Sequence, residues 1–394
     1  MTKDCYHRNM KRERKNRQEN TIDMAFKGVL YPDEKQRELI EKTFGCCRYV
    51  YNRFLNERIL AFVKEGKDLS YPEQCRKLTL LKTEPETEWL KEVDATALQN
   101  SVRALQDGYD SYYQSLKKGP KKGRPRFKKK HRNRQSYRST NNSHSIRIED
   151  NKKIRLPKLG EVRCRFGRIP KGRILSATVR REPDGTYAVT VMSEEPGPEQ
   201  PAKTGKNTGI DLGIRTLAVT SEGTEYDNPK TYEKNLKKLK RAQRKLSRKT
   251  KGSRNREKQR VQAAKIHAKI RNQREDAIHK MTHELVMHYD VICMEDLDVK
   301  ELNRSRLAKE VSDASFGEIR RQLGYKTEWY GKQLVITDRW YPSSQTCSVC
   351  GCINRNVKDL RIRRWKCPGC GTYHDRDINA AKNILNEGLR KISS

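Results

Sequence analysis

The stretch Gly209-Ile-Asp-Leu-Gly-Ile-Arg-Thr-Leu-Ala-Val219, followed by Thr220-Ser-Glu-Gly223, determines how the rest of the chain is interpreted. Apolar and β-branched residues surround a single carboxylate, Asp211, and the run ends in a Ser-Glu-Gly turn. This pattern predicts the first strand of a hairpin with Asp211 on its surface. A lone aspartate on a strand says little by itself, so the meaning of Asp211 depends on the acidic residues that accompany it.

Two further acidic elements lie downstream. The apolar run Val291-Ile-Cys-Met294 ends in Glu295-Asp296, and Asp375-Arg-Asp377-Ile-Asn379 begins a helix predicted from Ile378 to Leu389. Mg²⁺ and Mn²⁺ prefer oxygen ligands, and two such ions held about 3.5–4 Å apart activate water and stabilise the leaving oxygen of a phosphodiester. Carboxylates on two strand ends and a helix start therefore predict a divalent-metal nuclease.

Each carboxylate has a predicted role. We expect Asp211 to bridge the two ions, Glu295 to bind from the neighbouring strand and Asp377 to be the third ligand, with Asp375 as the alternative to Asp377. The simpler interpretation makes Asp211 a turn residue, Glu295 an exposed strand end and Asp377 a helix N-cap. Each of these roles is acceptable alone, but the three carboxylates in this order favour the metal site.

The charge balance identifies the class of partner. The 394-residue chain has 87 Lys and Arg against 50 Asp and Glu, a formal net charge of +37. Positive charges in such excess repel one another and destabilise the fold unless a polyanion neutralises them. Nucleic acid is therefore the expected partner. The length allows two or three domains with separate cores.

The first 20 residues, Met1 to Asn20, are polar and basic and contain the run Lys11-Arg-Glu-Arg-Lys15. We interpret them as a solvated, disordered arm, with a nuclear-import signal as the alternative. They show no apolar h-region of the kind a secretory leader has, and no apolar run elsewhere approaches the ~20 residues of a transmembrane helix. No membrane partner is expected.

Four of the 11 cysteines form two Cys-x-x-Cys pairs. Cys347-Ser-Val-Cys350-Gly and Cys367-Pro-Gly-Cys370-Gly are separated by sixteen residues, a spacing typical of four-cysteine Zn²⁺ sites. Four thiolates fill the tetrahedral shell of the ion, so we expect a structural role and a reducing compartment. Structural zinc supplies on the order of 10–16 kcal/mol in small peptides. A redox function is the weaker alternative, and Cys352 and His374 are surplus nearby.

The N-terminal third predicts a strand and a small helical bundle. Thr21 to Tyr31 alternates loosely, as a strand does. Asp33 and Gln36 resemble a capping box before a helical pattern that continues to Gly66. A second helical pattern covers Asp94 to Leu116. The aromatic residues of both patterns are expected in the core of the bundle, with stacking on nucleic-acid bases as the alternative.

Several short apolar runs lie between Ser143 and Glu195. The last two flank Pro183-Asp-Gly-Thr186, which is a hairpin signal. We expect a small antiparallel β-barrel that the strand Thr21 to Tyr31 completes. The segment Pro196 to Gly205 is then a linker to the domain that contains Asp211.

Two basic stretches are the expected contacts to nucleic acid. Lys117 to Arg138 contains no acidic residue and interleaves aromatic residues with its cations, although a solvated linker is the alternative. Tyr232 to Tyr289 predicts a helical pair with a break at Lys251-Gly-Ser253, and it has few of the acidic residues that normally form i,i+4 pairs on a solvated helix. The predicted contact residues are Lys121, Lys122, Arg124, Arg126, Phe127, Lys128, Lys129, Lys130, Arg132, Lys237, Arg241 and Arg244.

Five motifs follow one another in a characteristic order. They are Gly-Ile-Asp-Leu-Gly at 209–213, Met-Glu-Asp-Leu at 294–297, Ser-Ser-Gln-Thr-Cys-Ser-Val-Cys-Gly at 343–351, Cys-Pro-Gly-Cys-Gly at 367–371 and Asp-Arg-Asp-Ile-Asn-Ala-Ala-Lys-Asn-Ile at 375–384. This order resembles the TnpB family, transposon-encoded relatives of the compact type V CRISPR effectors. The resemblance is specific from Gly209 to Leu385 and looser upstream.

The resemblance implies an α+β multidomain nuclease. Members have a RuvC domain of RNase H-like α/β fold, with a zinc ribbon inserted between its last strand and last helix, and Asp211, Glu295 and Asp377 match the three catalytic positions. They bind a guide RNA from the transposon end, read a short motif beside the target through the barrel and helical domains, and cut double-stranded DNA. The implied partners are guide RNA and target DNA, with structural Zn²⁺ and two catalytic Mg²⁺ ions as cofactors.

The expected domain boundaries follow from these assignments. They are a basic disordered arm at 1–20, a β-barrel (wedge) domain at 21–32 and 139–198, a helical recognition domain with its basic linker at 33–138, a RuvC-like nuclease domain at 205–340 and 376–394 that includes a basic helical hairpin at 228–290, and a zinc ribbon at 341–375. We expect a cytoplasmic protein that acts at the prokaryotic nucleoid, or a nuclear one in a eukaryotic relative.

Two alternatives remain at this level. A guide-independent nuclease selective for branched DNA, such as a junction resolvase, has the same metal chemistry but needs little beyond the catalytic fold. A non-catalytic regulator that binds RNA or DNA would use the same surfaces, and the intact carboxylates argue against it. Under the favoured hypothesis Asp211 explains hydrolysis, and target choice belongs to an RNA.

Overall fold

The computed structural model describes residues 21–117, 119, 122–130, 134–150, 152–304 and 307–393. The predicted arm at 1–20 and the candidate contacts Lys121 and Arg132 lie outside the described residues. The chain forms two compact units, Met1–Gly197 and Pro198–Ser394, and the division falls within the predicted linker. Among the described residues, no helix is both long enough and apolar enough to cross a membrane.

Among the described residues of the first unit, the first and third α-helices match the predicted patterns, whereas the second α-helix and a 3₁₀ helix are not predicted by them. The α-helices are α1 (Glu34–Glu65), α2 (Tyr71–Leu81) and α3 (Ala95–Lys117), with a 3₁₀ helix at Pro85–Glu92. The expected capping box is formed, because the Gln36 amide donates to the Asp33 carboxylate at 2.8 Å and the Asp33 amide donates to the Gln36 side chain at 3.1 Å. Helix α1 ends at Gly66, whose φ of 63° is in the left-handed region that favours glycine.

The sheet of the first unit has seven antiparallel strands in the order β2-β6-β7-β1-β5-β4-β3. The strands are β1 (Thr21–Tyr31), β2 (Gln135–Thr140), β3 (Arg147–Glu149), β4 (Lys153–Leu156), β5 (Gly160–Phe166), β6 (Arg173–Arg181) and β7 (Tyr187–Pro196). Strand β1 pairs with both β5 and β7, so it lies at the centre of the sheet. Its residues alternate between buried and exposed, which matches the sequence pattern.

The edge strands β2 and β3 are consecutive in the chain, and this forces the sheet to curl. Six strand spacings of about 4.8 Å would separate them by about 29 Å in a flat sheet. The connection 141–146 spans about 25 Å at full extension, and it contains a turn in which the Ser145 amide donates to the Asn142 carbonyl at 3.1 Å. The sheet therefore curls as the expected barrel requires, although no ladder joins its two edges among the described residues.

The second unit contains a five-stranded sheet in the order β10-β9-β8-β11-β12. Its strands are β8 (Asn207–Leu212), β9 (Thr216–Thr220), β10 (Glu225–Asp227), β11 (Val291–Glu295) and β12 (Gln333–Thr337). Strands β8, β9 and β10 are antiparallel, whereas β11 pairs in parallel with both β8 and β12. A two-stranded sheet of β13 (Arg364–Lys366) and β14 (Tyr373–Asp375) lies in the cysteine segment, after a 3₁₀ helix at Arg355–Lys358.

The helices of the second unit include the predicted basic pair. They are α4 (Thr231–Ser247), α5 (Arg254–His288), α6 (Val299–Leu302), α7 (Ala308–Ala314), α8 (Phe316–Trp329) and α9 (Arg376–Ser393). The interval between α4 and α5 contains Lys251-Gly-Ser253, where the sequence predicts a break.

Helices cover both faces of the five-stranded sheet. One face packs in an apolar core to which strands β8 and β11 and helices α5 and α8 contribute Ile210, Ile292, Met294, Ile278, Leu285, Ile319 and Leu323. The opposite face contacts α9. A Cβ added to Gly209 of β8 would lie 2.0 Å from the Ala381 carbonyl oxygen, and one added to Gly388 of α9 would lie 2.2 Å from the Cys293 sulfur. Two glycines therefore allow α9 to lie directly on the sheet.

Candidate active site and four-cysteine cluster

Asp211 and Glu295 lie side by side near the ends of two parallel strands. The β8–β11 ladder pairs Gly209 with Cys293, so the same register continued by two residues sets Asp211 beside Glu295. Side chains two residues apart on a strand point to the same face. Both carboxylates therefore face the side of the sheet that α9 covers.

The third carboxylate comes from α9. Asp377 lies in the first turn of this helix, four residues before Ala381, whose backbone contacts Gly209. The Arg363 guanidinium pairs with it, since Nη1 lies 3.1 Å from Oδ1 and 3.3 Å from Oδ2. Helix α9 thus carries Asp377 on the face of the sheet that bears Asp211.

The three carboxylates interact electrostatically. Burial, followed by the negative charges of Glu295 and Asp377, raises the pKa of Asp211 to about 8, although two nearby arginines act in the opposite direction. Burial also raises the pKa of Glu295. A bound divalent cation would add positive charge beside these carboxylates and favour their ionised forms. The oxygen donors are of the type that Mg²⁺ or Mn²⁺ prefers. Among the described residues, the three carboxylates do not converge as closely as the four cysteine sulfurs do.

Asp375 has a different role from Asp377. Its Oδ1 accepts hydrogen bonds from the amides of Asp377 at 3.0 Å and Ile378 at 3.3 Å, and this caps the start of α9. The capping role that the simpler interpretation gave to Asp377 therefore belongs to Asp375. Asp377 instead pairs with Arg363 and raises the pKa of Asp211.

The four predicted cysteines form one cluster. The sulfur atoms of Cys347, Cys350, Cys367 and Cys370 lie within 4.8 Å of one another. The Cys347–Cys370 separation is 3.7 Å and the Cys350–Cys367 separation is 3.5 Å. A tetrahedral Zn²⁺ ion with Zn–S bonds of about 2.3 Å holds its sulfurs about 3.8 Å apart. The cluster therefore has the donors and the spacing that zinc requires.

The two Cys-x-x-Cys turns share a hydrogen-bond pattern. In the first, the Cys347 amide donates to the Cys352 carbonyl at 2.8 Å, and the Gly351 amide donates to the Cys347 carbonyl at 2.9 Å. The corresponding bonds of Cys367 and Gly371 in the second turn have the same lengths. Both glycines have a φ of 75°, which other residues adopt at a cost, and this explains why glycine follows each pair.

His374 supports the cluster, although it is surplus as a ligand. Its Nε2 lies 3.0 Å from the Cys347 sulfur, and its buried ring packs at 4.7 Å from the Trp365 ring. Burial lowers the pKa of His374 and favours the neutral imidazole. A neutral ring can donate its N–H to a thiolate, as groups around metal ligands commonly do.

Sequence reasoning missed the residues that hold the carboxylates. Ser343 donates a hydrogen bond to Glu295, and Arg363 pairs with Asp377. The sequence places both residues at the same position relative to the cysteine pairs. Ser343 precedes Cys347 by four residues, and Arg363 precedes Cys367 by four. The two equivalent positions of the cysteine turns thus reach two different carboxylates.

Known proteins resemble this chain along almost its whole length. Residues 186–306 match the family model described as "Probable transposase", 316–384 the model "Cas12f1-like, TNB domain" and 22–67 the model "Helix-turn-helix domain". "TnpB-like protein L79" of Acanthamoeba polyphaga mimivirus is 36% identical over 134 residues, 32% of this chain and 25% of that protein. A "Putative RNA-guided DNA endonuclease" of Streptomyces pristinaespiralis is 38% identical over 372 residues, 93% of this chain and 90% of that protein. The chain belongs to the TnpB family.

Further relatives extend the match. "Putative RNA-guided DNA endonuclease InsQ" of Escherichia coli K12 is 32% identical over 384 residues, which cover 92% of each chain. A solved structure titled "Cryo-EM structure of the Cas12f1-sgRNA-target DNA complex" superposes with a TM-score of 0.55 at 13% identity and covers 93% of this chain and 99% of that one. This structural likeness shows a shared mixed α/β fold. The family resemblance inferred from the motifs is confirmed.

The basic segment of this TnpB-family chain packs against helices α1 and α3. Lys128 is anchored by its backbone, which exchanges hydrogen bonds of 2.8 and 2.9 Å with the Asn52 side chain, and its Nζ lies 3.8 Å from the centre of the Tyr51 ring. Pro125 packs on Gly108 of α3, where a Cβ would be 3.3 Å from the proline ring. The described part, 122–130, is thus held along the helices and is not a free linker.

Most of the predicted contact residues that the structure describes are exposed, although Lys122 and Arg124 also hydrogen-bond to Ser111 and Tyr112 of α3. Lys122, Arg124, Arg126, Phe127, Lys129 and Lys130 are exposed, as are Lys237, Arg241 and Arg244 on α4. The three α4 residues recur at intervals of four and three, so they form one stripe along the helix. Lys128 differs, because it is partly buried on Tyr51 and burial lowers its pKa.

Proposed function

We propose that this chain is an RNA-guided DNA endonuclease that hydrolyses phosphodiesters in double-stranded DNA next to a short target-adjacent motif. The observation that carries the proposal is the placement of Asp211 near Glu295 and Asp377, whose negative charges, with burial, raise the pKa of Asp211 to about 8 despite two nearby arginines. Relatives that match more than nine-tenths of this chain are named RNA-guided DNA endonucleases, which supports the guided form of this activity.

The catalytic centre is of the RuvC type in this proposal. Divalent ions, when bound, supply an activated water and stabilise the leaving oxygen of the phosphodiester. Asp211 would hold them from β8, Glu295 from β11 and Asp377 from the first turn of α9. Three antiparallel strands followed by two parallel ones agree with the RNase H-like fold implied by the family resemblance.

The remaining regions have supporting roles. The curled sheet serves as the wedge domain, and helices α1 to α3 form the recognition domain. The four-cysteine segment is a zinc ribbon inserted between β12 and α9. The basic segment at 122–130 and the α4 stripe bind phosphates of the guide RNA and the target, because most of their cations are exposed. We place the activity in the cytoplasm, at the nucleoid of a prokaryotic host.

A co-purification experiment tests the guided function. The chain is expressed with the DNA that flanks its reading frame, washed at high salt, and its bound RNA is sequenced. A discrete RNA whose variable end programs Mg²⁺-dependent cutting of a plasmid library supports the proposal. Absence of RNA together with unaided cutting of branched DNA would establish the structure-selective nuclease instead.

The catalytic assignment has its own control. Asp211→Asn removes the charge but keeps the shape of the side chain, so it should abolish cutting and retain the RNA. Normal cutting by this variant would exclude Asp211 from the chemistry. A chain that binds its RNA and never cuts with Mg²⁺ or Mn²⁺ would be a regulator.

A further inference from the structure

Two asparagines on α9 clamp the segment that leads into the first cysteine turn. Asn379 and Asn383 lie one helical turn apart and are only 1% and 3% exposed. The Asn383 amide donates to the carbonyl oxygens of Ser343 at 2.8 Å and Thr346 at 2.6 Å. The Asn379 side chain donates to the Thr346 carbonyl at 2.8 Å and accepts from the Ser348 amide at 2.9 Å. The segment 343–348 is therefore fixed to the helix.

The clamped segment reaches the candidate active site through one hydroxyl. Ser343 is buried, and its Oγ donates a hydrogen bond to Oε1 of Glu295. One oxygen of Glu295 is thereby engaged and the other is left for a cation. Asn383 binds the backbone of Ser343, so the segment should keep its position when only the Ser343 side chain is changed.

Helix α9 therefore determines the positions of two of the carboxylates. Asp377 is part of α9, and Glu295 is reached from α9 through Asn383 and Ser343. We infer that Ser343, held by Asn379 and Asn383, is a positioning residue that fixes the carboxylate of Glu295 for metal binding. This inference rests on the proposed metal-dependent function. Because Cys347 lies within the clamped segment, the zinc ribbon would also help to hold Ser343 beside Glu295.

The physical reason is the freedom of a glutamate side chain. Glu295 has three rotatable side-chain bonds, and fixing them on metal binding costs conformational entropy. This cost weakens the affinity for the ion. Hydrogen-bond partners of metal ligands remove this cost, and their loss typically lowers metal affinity or activity about 10- to 100-fold. A serine hydroxyl in a rigid segment supplies such a bond without adding charge.

Mn²⁺ binding tests the inference without requiring cleavage. The full-length, zinc-loaded chain is titrated with Mn²⁺, and free Mn²⁺ is measured by electron paramagnetic resonance. Ser343→Ala should weaken binding at the carboxylate site about 10-fold or more, and Ser343→Thr, which keeps the hydroxyl, should restore it. Ser344→Ala is the matched control, because the neighbouring hydroxyl has no hydrogen-bond partner among the described residues.

The asparagine clamp supplies a second measurement. Asn383→Ala should weaken Mn²⁺ binding in the same direction while the zinc content stays at one ion per chain. Its effect should largely disappear in a Ser343→Ala background, because both residues act through the same bond to Glu295. Fully additive losses would show that Asn383 acts by another route and would overturn the clamp.

Asp211→Asn separates failure of the inference from failure of the proposed function. Loss of Mn²⁺ binding in Asp211→Asn with wild-type binding in Ser343→Ala would overturn the positioning role alone. Unchanged Mn²⁺ binding and unchanged cutting in Asp211→Asn would overturn the proposed active site. Equal losses in Ser343→Ala and Ser344→Ala would assign the effect to the segment as a whole and reject Ser343.

Discussion

A Cβ placed on Gly209 would lie 2.0 Å from the Ala381 carbonyl oxygen, so the backbones of β8 and α9 are in direct contact. Asp211 lies two residues beyond Gly209 on the same face of the strand, and Asp377 lies one turn before Ala381 on the helix. The contact between a glycine and a helix backbone therefore sets the distance between two candidate metal ligands. Any change that lifts α9 should separate them.

Gly209→Ala adds only one methyl group, but we expect it to impair activity strongly. The new methyl group meets rigid backbone atoms, so the helix must move, and overpacking of this kind typically costs about 1–3 kcal/mol. We expect a lower Tm and loss of Mn²⁺-dependent cutting. Gly324→Ala in α8 is the control, because a Cβ there meets nothing within 4 Å. Equal behaviour of the two variants would show that α9 is not held by this contact.

The sequence predicts the strand that contains Gly209 but not the reason for its glycine. Alternating apolar residues around Asp211 are a local signal, and they correctly indicate a hairpin. The glycine is required by α9, which lies more than 160 residues downstream, and no local pattern reports that contact. The cysteine cluster, in contrast, is predictable from the sequence. Four ligands of one ion must lie close together whatever path the chain takes between them.

The separate roles of the acidic residues near α9 also depend on tertiary structure. Asp375 and Asp377 are both acceptable as cap or ligand in the sequence, and only the hydrogen bonds distinguish the cap from the candidate ligand. The curl of the first sheet is also a tertiary property. It arises because β2 and β3 are joined by a short connection yet lie at opposite edges of the sheet. Strand patterns predict the elements, whereas their order in the sheet is decided by packing.

Asp375 and Asp377 should give opposite results on substitution. Asp375→Ala removes the cap of α9 and should cost about 1 kcal/mol of stability, measured as a lower Tm, with cutting retained. Asp375→Asn should be nearly silent, because asparagine caps helices as well. Asp377→Asn should keep the Tm and abolish cutting. Retained cutting by Asp377→Asn with its loss in Asp375→Asn would exchange the two assignments.

Asp211 should make the stability of the Mg²⁺-free protein depend on pH. Its pKa rises from an ordinary value near 4 to about 8 in the folded state, so the folded chain binds this proton more tightly than the unfolded chain. The group's favourable contribution is complete below about pH 4 and is lost as the pH rises to about 8.

Asp211→Asn cannot ionise and should escape this loss. In Mg²⁺-free buffer its Tm should exceed that of the unmodified chain at pH 8, and the difference should shrink towards pH 5. Mg²⁺ added at pH 8 should raise the Tm of the unmodified chain and leave that of the variant unchanged. Parallel pH profiles for the two proteins would contradict the raised pKa.

Zinc content should distinguish the four clustered cysteines from their neighbour. Cys367→Ser should lose the ion, measured as zinc per chain, and lower the Tm, because zinc contributes to the folding of a short segment. Cys352→Ser should retain one zinc ion, since its sulfur is not one of the four in the cluster. Loss of zinc in Cys352→Ser, with retention in Cys367→Ser, would mean that the ligand set is different.

Arg126 and Lys128 are two residues apart on the basic segment, and their substitutions should separate binding from stability. Arg126 is exposed, so Arg126→Ala should weaken RNA binding and reduce the slope of log affinity against log salt by about 1, with an unchanged Tm. Lys128 lies on the Tyr51 ring, so Lys128→Ala should lower the Tm through loss of a cation–π contact of about 0.5–2 kcal/mol. Its salt slope should change less than that of Arg126→Ala, because a lysine held on a ring is less available to a phosphate. A larger slope change for Lys128→Ala would show that this lysine leaves Tyr51 when RNA binds.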